Sequence, residues 1–381
     1  MKCSLKIFAG LLVALVLLLL LTVCGALLWR FHRQTINSGL LALHGPAAIH
    51  EDRYVTIGGI KQWISIRGEN RTNPVILFVH GGPGASLSGH AAIFRAWERD
   101  FTLVQWDQRG GGLTFAAGAR LTDDVPLERM VGDGIEVAEY ARRRLGADRL
   151  ILVGHSWGSV LGVHMVKARP DLFAAYVGTG QIMDVADQMA LTYEDTLKRA
   201  RAAHDDGDIQ TLEKIGRPPF SSTLDRSTLL ITRNRYVSPA DGQYLGLGAH
   251  SDIVTTMTSP DLSLGQAVAS VHGMLVTAGS LDIYPPLART DLRVLGCDFP
   301  IPFFVIEGDD DRFTYTALAK AYYDGIRATH KEFVAIPGGH FAMMTNADAF
   351  RRALVKDIRP LAPAAGRAVP GPTLKLDKNS Q

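Results

Sequence analysis

Apolar positions follow three different patterns along this chain. From Ile7 to Trp29 there is no charged residue, and Leu11 to Leu21 is almost unbroken Leu and Val. A run of that length crosses about 30 Å of hydrocarbon as a single helix. It predicts a short tail at 1–6 and an N-terminal transmembrane helix at 7–29. A cleaved signal carries a shorter apolar stretch, typically about 7–15 residues, so the expectation is an uncleaved single-pass membrane anchor. Lys2 and Lys6 before the run nearly balance Arg30 and Arg33 after it. The brief tail and the large domain behind favour a domain outside the cytoplasm.

After a linker at 30–50, Arg53 to Ile57 and Lys61 to Ile66 alternate around Gly58-Gly59, which predicts a β-hairpin. Continuous apolar runs then occur at 75–79, 101–106, 150–153, 303–306 and 333–336, as in strands buried on both faces of a parallel sheet. Helical periodicity occupies 127–145 and 159–168, the second stopped by Arg169-Pro170. Residues 181–298 break the pattern: they contain no comparable run, and polar helical stretches such as 188–203 dominate. The fold class expected is α/β, a mostly parallel sheet with an N-terminal antiparallel hairpin. Its core has two parts, 51–180 and 299–359, separated by an inserted helical lid at 181–298. The Pro- and Ala-rich end, 360–381, is expected to be disordered.

Composition narrows the function classes. Lys plus Arg number 40 against 38 Asp plus Glu, so no large field gathers nucleic acid, and no nucleic-acid partner is expected. Of three cysteines, Cys3 and Cys24 lie in or beside the apolar run, leaving Cys297 without a partner for an internal disulfide. No zinc-ligand spacing occurs. Oligomeric state is left open.

The chemistry centres on Gly154-His155-Ser156-Trp157-Gly158, directly after the run at 150–153. A Gly-x-Ser-x-Gly between a strand and a helix is a nucleophile elbow, whose tight turn lifts a serine hydroxyl into a cleft. Serine is a poor nucleophile without a base, and the base needs a carboxylate to set its tautomer. Gly338-Gly339-His340 follows the last apolar run, and Gly308-Asp309-Asp310-Asp311 closes the one before it. The order Ser, Asp, His is that of α/β-hydrolases. His80-Gly81-Gly82-Pro83-Gly84 follows the run at 75–79; Pro83 has no N–H, so Gly82 and the amide of Trp157 are the expected oxyanion-hole donors. His80, His155 and His164 are expected to be structural, and Asp107 and Arg109 to pair and hold loops.

Together with Trp106-Asp107-Gln108-Arg109-Gly110, these motifs resemble the proline iminopeptidase family of α/β-hydrolases, over about residues 52–358. The resemblance implies a Ser-Asp-His triad, no metal or organic cofactor, and release of an N-terminal residue, often proline, from a small-molecule or short-peptide substrate. Family members carry Gly-x-x-Asp with a threonine soon after, which fits Gly308, Asp311 and Thr314 and selects Asp311, with Asp310 in reserve. The lid departs from the family. Where members place a glutamate that holds the substrate ammonium, in a segment like Glu-Asn-His-Tyr-Phe, this chain reads Arg233-Asn234-Arg235-Tyr236-Val237. A guanidinium repels an ammonium. Unless another lid acid such as Glu194, Asp195 or Asp282 serves, an ester, amide or blocked substrate replaces the free amine. A carboxylesterase or amidase is therefore the competing expectation, and a membrane-tethered, non-catalytic binding scaffold the third.

Overall fold

The computed structural model describes residues 2–122, 124–220, 222–248, 251–277 and 284–365. Among them are ten strands: β1 (Ile49–Ile57), β2 (Ile60–Gly68), β3 (Val75–Val79), β4 (Thr102–Asp107), β5 (Leu150–His155), β6 (Phe173–Thr179), β7 (Asp298–Phe299), β8 (Phe303–Gly308), β9 (Arg327–Ala328) and β10 (Lys331–Ile336). Eight form one sheet in the order β1-β2-β4-β3-β5-β6-β8-β10, with β7 and β9 paired beside it. β1 meets β2 antiparallel, with Ile57 opposite Ile60 across Gly58 and Gly59. Both glycines have positive φ, +55° and +78°, as a two-residue hairpin turn requires. β2 joins β4 antiparallel, and every pairing from β4 to β10 is parallel.

The apolar runs become strands because both of their faces are covered. Along β3 and β5, Val75, Leu77, Val79, Leu150 and Leu152 pack into one core layer, while Ile76, Phe78, Ile151 and Val153 pack into the other. That division is the period-two alternation of a strand sandwiched between helices. Phe173 to Thr179 was not among the expected runs. Its sequence, Phe-Ala-Ala-Tyr-Val-Gly-Thr, dilutes the apolar signal with small residues, yet all seven positions are buried.

Between β6 and β7 the chain is helical, including Val185–Ala202, Asp206–Ile215, Thr223–Arg233, Pro239–Leu245 and Leu264–Thr277. The N-terminal helix, Lys2–Leu41, is longer than expected. The stretch read as the start of a linker is helical to Leu41, through Asn37-Ser38-Gly39, where Asn37 Nδ2 donates to Thr258 O (3.2 Å). Backbone carbonyls of the helical insertion also hold it: Arg30 Nε donates to Met257 O (2.9 Å) and Nη2 to Leu262 O (2.7 Å), and Gln34 Nε2 donates to Ser259 O (2.7 Å). At the other end, Ala365 N donates to Thr72 O (3.0 Å), so residues 360–365 are placed against the core; 366–381 lie outside the described residues.

Candidate active site

Strands β3, β5, β8 and β10 run parallel and deliver their following loops to one edge of the sheet, the edge where α/β folds bind ligands. Ser156 sits between β5 and the helix Trp157–Ala168 at φ 53°, ψ −121°, a strained conformation for a non-glycine residue. The surrounding contacts over-determine it. Ser156 N donates to Thr179 O (2.9 Å), and Ser156 O accepts from Ser159 N (2.8 Å) and Ser159 Oγ (2.7 Å). Strand and helix approach so closely that a methyl group at Gly158 would lie 2.0 Å from Val79 O, and one at Gly154 2.5 Å from Gly158 O.

His340, on the loop after β10, bonds through Nδ1 to Asp311 Oδ2 at 2.8 Å, and both side chains are buried. Asp311 Oδ1 accepts from the amides of Phe313 (2.7 Å) and Thr314 (3.0 Å), while Oδ2 also accepts from Thr314 Oγ1 (2.8 Å). Burial alone would raise the pKa of Asp311. The adjoining His340 and these donors more than offset it and hold the carboxyl well below its usual range. Its neighbours point elsewhere: Asp310 forms a two-point pair with Arg312 (2.6 and 2.7 Å), and Asp309 accepts from Gly338 N (3.0 Å).

Gly82, at φ +113°, and Trp157 line a cavity of about 410 Å³ together with Ser156 and His340. Gln108 fastens this region from behind. It donates through Nε2 to His80 O (2.8 Å) and accepts from Trp157 Nε1 (3.0 Å). The rest of the cavity wall is largely apolar, with Val185, Met189, Leu230, Leu287 and Met344, and carries Arg233 and Asp252.

Three supporting residues went unrecognised in the sequence. Asp241 accepts from the amides of His340 (2.8 Å) and Phe341 (3.0 Å), fastening the histidine loop to the helical insertion. Ser238-Pro239-Ala240-Asp241 is a helix-start signature, and Ser238 does accept from Asp241 N, but that signature does not say where the carboxylate goes. Glu307 ends the apolar run of β8; burial, then the Asp311 carboxylate, push its pKa far above the carboxylate range and keep it neutral. Phe313 stacks on the His340 ring at 4.9 Å and 17°.

Asp107 and Arg109 do not pair with each other. Arg109 Nε bonds Asp133 Oδ2 at 2.6 Å, whereas Asp107 accepts from Leu113 N (2.7 Å) and Ser88 Oγ (2.9 Å). Asp107 closes β4 while Arg109 lies in the turn that follows, so the two side chains leave the strand end separately and each finds a different partner. Among the other lid acids, Asp195 is held by Arg199 (2.7 Å) and Glu194 by Arg217 (3.2 Å), and neither lines the cavity; Asp282 lies outside the described residues.

His155 is buried beneath the elbow and bonded to His340 O (3.1 Å). Burial, and then the neighbouring His340, depress its pKa to about 3, and burial brings that of His80 to about 4. Both are depressed below the unfolded value, so their contribution is complete above about pH 6.5 and declines as pH falls below it. Asp107, raised to about 6 by burial, takes up a proton in the folded state and opposes that slope. A variant comparison isolates the histidine: urea unfolding between pH 7.5 and 5.5 should show His155→Gln lacking a pH-dependent loss of about 1.4 kcal/mol per unit below 6.5 that the wild type has. Equal slopes would mean that His155 is not held neutral.

Residues 74–347 match the model of the α/β hydrolase fold family. The chain is 26% identical over 288 residues to the probable aminopeptidase YbaC of Bacillus subtilis (strain 168), covering 73% of this chain and 86% of that protein. It is 24% identical over 250 residues to a proline iminopeptidase of Xylella fastidiosa (strain Temecula1), covering 64% and 76%. The solved structure of a proline iminopeptidase-related protein from Thermus thermophilus shares the fold, with a TM-score of 0.54 and 18% identity over 82% of this chain and 99% of that one.

Proposed function

This chain belongs to the α/β hydrolase fold family, as a proline iminopeptidase-like hydrolase, and from that premise we propose that it works by acyl transfer through Ser156, His340 and Asp311. The supporting observation is the His340–Asp311 bond of 2.8 Å, with His340 and Ser156 facing one cavity. Ser156 Oγ attacks the substrate carbonyl as His340 Nε2 takes its proton; Asp311 holds Nδ1–H and stabilises the imidazolium. The amides of Gly82 and Trp157 receive the oxyanion. His340 then protonates the leaving group and activates water against the acyl-enzyme. No metal or organic cofactor enters this sequence. The helices between 181 and 298 act as a lid whose inner wall selects the substrate.

Cavity charge bears on the substrate. Release of an N-terminal residue requires a carboxylate for the ammonium. Among the described residues the cavity acid is Asp252, already held by His90 Nε2 at 2.7 Å, and Arg233 carries the opposite sign. An ester or blocked amide suits this wall better than a free amine. The test is turnover of p-nitrophenyl butyrate against proline p-nitroanilide, with Ser156→Ala as blank. The expected result is Ser156-dependent hydrolysis favouring the ester; a prolyl preference would restore the aminopeptidase reading.

The N-terminal helix serves in this reading as an uncleaved single-pass anchor with the catalytic domain outside the cytoplasm. Residues 8–41 contain an 18-residue window of mean hydropathy 3.1, none of it buried. The protein should stay in the membrane pellet after carbonate washing, at full length; its appearance in the soluble fraction would rule the anchor out.

A further inference from the structure

Resting on the hydrolase reading, we propose that Arg233 is a substrate-binding residue that receives a carboxylate carried by the substrate, so that the preferred ester or amide has an acidic acyl part. Arg233 is the last residue of the helix Thr223–Arg233 and reaches the cavity wall. Its guanidinium lies 3.8 Å over the ring of Phe313, whose own ring stacks on His340. The cation therefore stands one aromatic ring away from the imidazole, on the wall of the cavity that Ser156 and His340 also line.

Among the described residues no carboxylate forms an ion pair with Arg233. Its Nε is buried without a hydrogen-bond partner, and Nη2 donates to a neutral amide oxygen, Asn234 Oδ1, at 2.9 Å. Neighbouring arginines of the same region do have acids: Arg199 has Asp195, Arg235 has Asp208, and Arg312 has Asp310. The two carboxylates whose fields reach Arg233, Asp311 and Asp241, are committed to His340 and to the amides that position it. Burial brings the guanidinium down to about 10, which still leaves it charged at neutral pH. A half-buried guanidinium whose Nε is closed off from water and has no partner gains from an anionic ligand that completes it.

The geometry of that cation selects the ligand. With its central carbon 3.8 Å over the Phe313 ring, the guanidinium offers in-plane N–H donors that a planar, two-oxygen acceptor matches edge to edge. A carboxylate has that shape, while the apolar wall of Leu230, Val185 and Met189 accommodates the methylene chain between it and the scissile carbonyl. An ammonium in the same place would meet like charge.

Two esters of matched length test this on the full-length protein: mono-p-nitrophenyl glutarate, with a terminal carboxylate, and p-nitrophenyl pentanoate, without one. The wild type should prefer the glutarate ester by about 10-fold in kcat/KM, as expected for a charge-assisted pair on a half-buried cavity wall. In Arg233→Met the preference should collapse to about one, and Arg233→Lys should recover part of it. An unchanged ratio in Arg233→Met, or a wild-type preference for pentanoate, overturns the proposal. Equilibrium dialysis of labelled monomethyl glutarate against the Ser156→Ala protein, with and without Arg233→Met, separates this from the hydrolase reading. Arg233-dependent binding without any ester turnover keeps the carboxylate site and discards the hydrolase. Turnover of both esters with no Arg233-dependent binding does the reverse. Should Arg233→Met fail to fold, the wild-type preference and the Arg233→Lys variant decide the matter.

Discussion

Ser156→Ala is expected to lower ester turnover by about 10⁴-fold or more while leaving the fold intact. The size of the effect follows from what the hydroxyl does. Without Oγ no acyl-enzyme forms, and only the oxyanion donors and substrate positioning remain, which are good for a residual acceleration over water. The fold should tolerate the change because the hydrogen bonds that hold residue 156 run through its backbone, to Thr179 and Ser159. Alanine carries the same Cβ into the same φ of 53°, so the strain is not altered. Steady-state kinetics with p-nitrophenyl butyrate, read beside the thermal midpoint, check both halves. Wild-type turnover in the variant would place the nucleophile elsewhere; loss of the thermal transition would show the serine to be structural.

Asp311→Asn is the second large effect, expected at about 10³–10⁴-fold in kcat. An asparagine fits the site, but its amide can turn an NH₂ toward His340 Nδ1, which favours the tautomer with the proton on Nε2, the nitrogen that has to accept one. It also removes the negative charge that stabilises imidazolium during acyl transfer. Asp310→Asn is the control: that carboxylate faces Arg312, so turnover should stay within about 3-fold of wild type, as for most surface ion pairs. The reverse outcome, with Asp310→Asn inactive and Asp311→Asn active, would move the acid by one residue. The pH dependence of kcat in Asp311→Asn adds an independent reading, since a merely structural aspartate would change stability without altering the profile.

Much of this was legible in the order of residues alone. The elbow is recognisable because its glycines answer to a local requirement, the approach of a helix to a strand, visible afterwards in the 2.0 Å that a Gly158 methyl would leave to Val79 O. The strands β3, β5 and β8 stand out because burial on both faces demands unbroken apolar residues. Other parts had no local signature. β6 is buried to the same degree as β5 but is built from alanine, glycine and threonine as well as large apolar residues, so its identity comes from the neighbours that cover it. The helix beyond Trp29 continues in a polar stretch because Arg30 and Gln34 find carbonyls more than 220 residues away.

What the sequence determined by itself was therefore the fold class and the order of its chemical groups: a membrane-length apolar helix, a parallel sheet, and serine, aspartate and histidine in loops that follow three of its strands. Those features depend on periodicity and on turns, which are encoded within a few residues. Only the tertiary structure decided that the other two aspartates of that turn go to Arg312 and Gly338, that Asp241 holds the histidine loop from the helical insertion, and that, among the described residues, Arg233 stands on the cavity wall without an acid. Each of those outcomes is a meeting between side chains far apart in the chain, where distance and shielding from water, rather than residue type, set the energy.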